Sequence, residues 1–150
     1  MTKISNITNT FENARCVPIN EAVSSVLSGD VQGMINTFKS WRQKEYNIPS
    51  IESFIGEILK EVPFSEKSKR IITVSAKMAA EENKNPYHGN RHSLEMTYGS
   101  GMLLYKAYQK NFITEPEYAI GLCTALLHDY GHDGKGNQRV QFRLEKLAVE

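Results

Sequence analysis

Apolar residues recur every three or four positions through most of this chain, and no useful stretch alternates singly, so the pattern predicts helices rather than strands. Val31, Met34, Ile35, Phe38 and Trp41 form a first stripe, with Asp30 placed to cap it. Pro49 and Ser50 open a second helix. Ile51, Phe54, Ile55, Ile58, Leu59 and Val62 line one of its faces, and Pro63 stops it. Ser65 can cap a third, carrying Ile71, Val74, Met78 and Ala79. Glu81 to Pro86 is a polar break. A long helix is then predicted from about Arg91 to Lys110, with Met96, Leu103, Leu104, Ala107 and Tyr108 facing inward. Asn111 to Thr114 reads as a turn, and Thr114-Glu115-Pro116-Glu117 as a capping box with proline in the first turn. Tyr118 to Leu127 is apolar on almost every side, the mark of a helix buried on most of its surface. Gly131, Gly134, Gly136 and Asn137 break regularity, and a last helix is predicted near Gln138, with Val140, Leu144, Leu147 and Ala148 on one stripe. Residues 1–29 look loosely ordered, polar and interrupted by Pro18. The expectation is an all-α helical bundle over residues 30–150, each stripe serving as core.

A chain of 150 residues is long enough for one domain with a real core. Its net charge of +1 gives no electrostatic case for a nucleic-acid polymer or a membrane surface as partner. Cys16 and Cys123 stand in settings that do not suggest a disulfide framework, and Cys123 reads as a small core residue. The first twenty residues lack the apolar core of a signal peptide, and no stretch approaches a transmembrane span, so the expected compartment is a reducing cytoplasm.

The histidines change the picture. All 4 fall in two short clusters with one spacing, His88-x-x-x-His92 and His128-Asp129-x-x-His132. Residues four apart on a helix share a face, so each pair can aim at one point. Imidazole and carboxylate are ligands that zinc, iron and manganese accept. The hairpin geometry brings the clusters together. The helix after His92 rises roughly 28 Å and the return from Glu115 to His128 covers roughly 20 Å, at 1.5 Å per residue. A short turn between them makes the two helices antiparallel. Around these clusters, Glu95 reads as a solvent-facing helix residue and Asp133 as a loop residue bonded to its own backbone. Lys135, Arg139 and Arg143 read as a solvated basic face.

Tyr87-His88-Gly89-Asn90-Arg91-His92 and His128-Asp129-Tyr130-Gly131-His132-Asp133-Gly134-Lys135-Gly136-Asn137 resemble the motifs of the HD-domain metal-dependent phosphohydrolases. The nearer resemblance is to the catalytic domain of 3′,5′-cyclic nucleotide phosphodiesterases, with Tyr-His-Asn-x-x-His and His-Asp-x-x-His-x-Gly-x-x-Asn. The second run matches at every fixed position; the first departs at Gly89, where that family has asparagine. The resemblance implies an HD-domain helical bundle and a two-metal site whose divalent ions could be zinc, manganese, magnesium or iron. It implies that His92, His128 and Asp129 are metal ligands, with Asp129 bridging to the second ion. His88 would be the general acid that protonates the leaving oxygen, His132 would stand by the bridging water, and Asn137 would fix the following loop.

That family completes its first metal site with an aspartate far downstream and reads the base with later residues, whereas this sequence runs only to Glu150. The expectation is therefore a domain incomplete at its C-terminus, truncated or half of a split protein. It could form a homo-oligomer or await a missing half. The leading functional expectation is hydrolysis of a cyclic nucleotide or related phosphodiester by a metal-activated hydroxide. The alternatives are a non-catalytic metal- or nucleotide-binding fragment and an interaction module.

Overall fold

A computed structural model describes residues 16–43, 48–82 and 89–131. They form six helices and, among the described residues, no strand: α1 (Ile19–Ser28), α2 (Val31–Gln43), α3 (Ile51–Glu61), α4 (Glu66–Glu82), α5 (Asn90–Gln109) and α6 (Glu115–Leu127). The all-α expectation holds. None of these helices is long and apolar enough to cross a membrane.

Of the segment read as loosely ordered, residues 1–15 lie outside the described residues, and Ile19–Ser28 form the helix α1. Pro18 precedes the first turn, where a missing N–H breaks no helical bond, and its carbonyl accepts from Ala22 N at 3.1 Å. Ala22, Val23 and Val26 are buried. The helix stops at Gly29, whose φ of 72° is left-handed; Gly29 N donates to Val26 O and Asp30 N to Ser25 O, a Schellman arrangement. Asp30 then serves the next helix as the sequence predicts, its Oδ1 accepting from Gly33 N at 2.9 Å. One aspartate thus closes α1 and opens α2.

Ser50 caps α3 by accepting from Ser53 N at 3.1 Å, and the predicted stripe is buried from Ile51 to Val62, with Leu59 packed at its edge. Two faces are corrected. On α4 the inward residues are Ser68, Ile72, Ser75, Ala76 and Ala79, while Ile71 and Val74 are 40% and 50% exposed. On α5 they are Ser93, Leu94, Thr97, Tyr98, Gly101 and Met102; Met96 and Leu103 point out, and Leu104 and Tyr108 pack at the margin as predicted. In α6, Tyr118, Ala119, Leu122, Ala125 and Leu126 are buried, but Ile120 is 60% exposed, so its apolar surface exceeds what the described core covers.

The core has two aromatic centres. Trp41, Phe54 and Tyr98, each fully buried, bring α2, α3 and α5 together, with the Phe54 and Tyr98 rings stacked at 5.7 Å. Phe64 and Tyr118 meet at 5.0 Å where the chain enters α4. Burial pushes the Tyr118 hydroxyl well above the ordinary tyrosine range. α6 packs against both α4 and α5. A close approach marks that pairing: a Cβ on Gly121 would stand 2.7 Å from Leu104 Cδ2.

The start of α6 is held by carboxylates. Glu117 Oε2 accepts from Thr114 N at 2.7 Å and from Thr114 Oγ1 at 2.8 Å, the carboxylate half of the predicted capping box. Glu115 Oε1 accepts from Ser65 N at 2.9 Å and joins the start of α6 to that of α4. Burial pushes the Glu115 carboxyl upward, but hydrogen bonds from Ser68 and Ser65 outweigh it and hold it below the usual 4.5. A folded-state pKa below the unfolded one contributes stability that is complete above the unfolded value and is lost as pH falls through the folded value. Thermal melts from pH 7 to pH 3 should therefore show a shallower acid decline for Glu115→Gln than for the wild type below about pH 4.5. Parallel curves would remove Glu115 from the acid transition.

Candidate metal centre

The site lies where α5 begins and α6 ends. His92 is in the first turn of α5, and two other side chains anchor that turn. Asn90 Nδ2 donates to Pro49 O at 2.9 Å and its Oδ1 accepts from Ile51 N at 3.1 Å, stitching the start of α5 to the start of α3. One turn further, Glu95 meets Arg42 of α2 in a two-pronged ion pair, both bonds 2.8 Å. The Glu95 side chain is only 14% exposed, so it is a tether between helices and not the solvent-facing residue its position suggested. Hydrogen bonding and charge from Glu95 raise the already high pKa of Arg42.

His128 follows the last turn of α6 and keeps helical backbone angles. Its Nδ1 is 2.8 Å from Ala125 O. A carbonyl only accepts, so Nδ1 is the donor in this contact, and in the neutral tautomer that it selects the lone pair toward the site belongs to Nε2. Metal-binding histidines are commonly oriented by such a carbonyl bond. Asp129 comes next, and the chain turns through a Tyr130 N to Leu127 O bond into Gly131, whose φ is 77°.

These elements bring three donors to one point. His92 Nε2 is 3.0 Å from His128 Nε2 and 3.0 Å from Asp129 Oδ2, and His128 Nε2 is 2.9 Å from the same oxygen. His92 and His128 are 36 residues apart in sequence. All three side chains are partly exposed, at 36%, 24% and 24%, so the point is reachable from solvent. Two imidazole nitrogens and a carboxylate oxygen this close repel through their lone pairs unless a proton or a cation lies among them. Three donors 2.9–3.0 Å apart are close enough that one divalent ion could be held by all of them at once. The donor set therefore fits a divalent ion.

The other residues named from the sequence, His88, His132 and Asn137 together with Tyr87, Asp133, Lys135, Arg139 and Arg143, lie outside the described residues. Sequence reasoning missed Asn90 and the Arg42–Glu95 pair. Asn90 stood inside the first cluster, where a polar side chain at a helix start was the available signal; nothing local paired Arg42 with Glu95.

A stretch of 56 residues, 37% of the chain, is 39% identical to the dual specificity calcium/calmodulin-dependent 3′,5′-cyclic nucleotide phosphodiesterase 1C of Mus musculus. The figures are the same for the proteins of that name from Homo sapiens and Rattus norvegicus. The matched stretch spans 8%, 8% and 7% of the lengths of these three relatives. No protein-family model matches the chain, and no solved structure matches it. Part of this all-helical chain is thus similar in sequence to a cyclic nucleotide phosphodiesterase.

Proposed function

We propose that the chain carries a metal-dependent phosphohydrolase centre acting on a cyclic nucleotide or a related phosphodiester. The observation that carries this reading is the convergence of His92, His128 and Asp129 within 3.0 Å of one another from the ends of two helices. The similarity to cyclic nucleotide phosphodiesterases supports the substrate class. A divalent ion there would neutralise phosphate charge and acidify a water for attack. The residues set the balance. Two neutral imidazoles and one carboxylate leave a divalent ion with one net positive charge, which suits the single negative charge of a phosphodiester. His128 is kept in the binding tautomer by Ala125 O. Asp129 would supply the negative charge through its Oδ2, and its place in the motif implies a bridging role toward a second ion. His88 is proposed to give the leaving oxygen its proton, a task suited to an imidazole near its ordinary pKa at neutral pH. His132 is proposed to stand beside the attacking water.

The test is hydrolysis of cyclic AMP, cyclic GMP and an aryl phosphodiester by the full chain with and without manganese, beside the His128→Ala/Asp129→Ala double variant. Manganese-dependent turnover that disappears in the double variant is expected. Manganese binding without turnover would favour the alternative of a non-catalytic metal- or nucleotide-binding fragment. In the active protein, His88→Ala should lower turnover about a hundredfold or more, in the range of a lost general acid, with metal content unchanged. If metal and activity fall together in that variant, His88 is a ligand and not the acid.

A further inference from the structure

A shallow apolar groove runs between α4 and α6 and ends at the metal centre. Ile71, Ile120, Cys123, Thr124, Leu127 and His128 line it. Ile71, Val74 and Ile120 leave 40%, 50% and 60% of their surface uncovered, and Val74 continues the Ile71 row by one turn. The groove holds about 380 Å³, room for roughly a dozen waters at ~30 Å³ each. Away from His128 its lining offers them little, because the Thr124 hydroxyl already donates to Ile120 O at 2.9 Å. Water in such a groove is readily displaced by apolar side chains.

We propose that the C-terminal segment, residues 132–150, docks in this groove as its occupant. The chain leaves α6 at the groove's own end: His128 lines it, and a turn at Tyr130 and Gly131 ends the helical course just beyond. The segment is long enough. α6, with 13 residues, is about 20 Å long, and residues 132–150 reach that far even as a compact helix after a few residues of turn. Val140, Leu144 and Leu147 are spaced as one helical face, which gives an apolar ridge for an apolar groove. Tethering decides against a second copy of the chain. A segment joined by a short linker is present at an effective concentration on the order of millimolar, above any ordinary protein concentration. The proposal stands apart from the phosphohydrolase reading, since it needs neither metal nor turnover.

Cys123 reports on the groove because it lines it and is a free thiol. In a Cys16→Ser background of the full chain, the rate of Cys123 modification by a small aromatic disulfide should rise at least tenfold when Leu144→Glu and Leu147→Glu are introduced, with far-ultraviolet circular dichroism unchanged. Equal rates in the two proteins would overturn the proposal. Protection that weakens on dilution would overturn it too, because a second copy would then be the cover. A photoreactive benzophenone attached to Cys123 supplies a measurement that leaves the segment intact. Crosslinks should map to residues 132–150 of the same chain at all concentrations. Crosslinks to another copy, or none to this segment, would refute the docking even if the double variant failed to fold.

Discussion

Asp129→Ala should reduce divalent-cation affinity by well over a hundredfold, and His128→Ala combined with Asp129→Ala should leave no stoichiometric metal after dialysis. The magnitude follows from the donors. Removing a residue that merely orients a ligand costs about 10–100-fold in affinity, so removing the one carboxylate among the three described donors should cost more. His92→Ala should be less severe than the loss of Asp129, because a neutral imidazole can be replaced by water more cheaply than a carboxylate. Ala125 contributes only its backbone carbonyl to His128, so Ala125→Ser should bind metal like the wild type if it folds. Isothermal titration with manganese or zinc and metal analysis of the dialysed proteins measure both. Unchanged stoichiometry in the double variant would remove the metal centre and the proposed function with it.

Trp41→Ala should destabilise the chain by about 3–5 kcal/mol, the usual range for a large aromatic cut back to alanine in a core. Trp41 is fully buried and lies between Phe38 at 6.4 Å and Tyr98 at 6.0 Å, with Phe54 edge-on at 6.2 Å. Three helices meet on that ring, so the space left cannot collapse without moving one of them. Against a total stability of about 5–15 kcal/mol this is a large fraction, and the melting temperature should fall by about 10 °C or more. The loss should also reach the metal centre, because Arg42, the next residue, holds Glu95 one turn from His92. Differential scanning calorimetry with metal titration of the surviving folded fraction separates the two effects. A drop under 3 °C would show that the aromatic centre is not what joins α2, α3 and α5.

Helix starts were the most legible part of this sequence, because a cap is a local device. Asp30, Ser50 and Thr114 with Glu117 each announce a helix within four residues, and each makes a capping contact in the fold. The start of α1 was misread because Pro18 was weighed as a breaker, although proline before a first turn breaks no helical hydrogen bond. Helix faces were less legible. On α4 and α5 the core takes Ser68, Ser75, Ser93 and Thr97 while Ile71, Val74, Met96 and Leu103 face outward. Apolar residues on both sides of a helix leave its periodicity without a preferred direction. The candidate site was legible because histidine occurs nowhere else in the chain, so two matched clusters stood out and hairpin lengths brought them level. Its supports were not, since Arg42–Glu95 and Asn90–Pro49 join residues 53 and 41 positions apart.

The notch at Gly121 gives the hairpin a key and a keyhole. Leu104 fills the space a side chain at position 121 would need. Sliding α6 along α5 by a single residue would shift it about 1.5 Å and turn it by about 100°, which is enough to part donors only 3.0 Å apart. The notch lies seven residues before His128, about 10 Å away along the axis. A branched side chain at position 121 would force Leu104 to another position or pry the helices apart, and in the second case the donors would lose alignment with all three side chains still present. The register that sets the donors therefore involves a residue that bears no chemistry at all. A substitution at position 121 could disturb the donor cluster while its histidines and aspartate remained, and a motif search would still report them present.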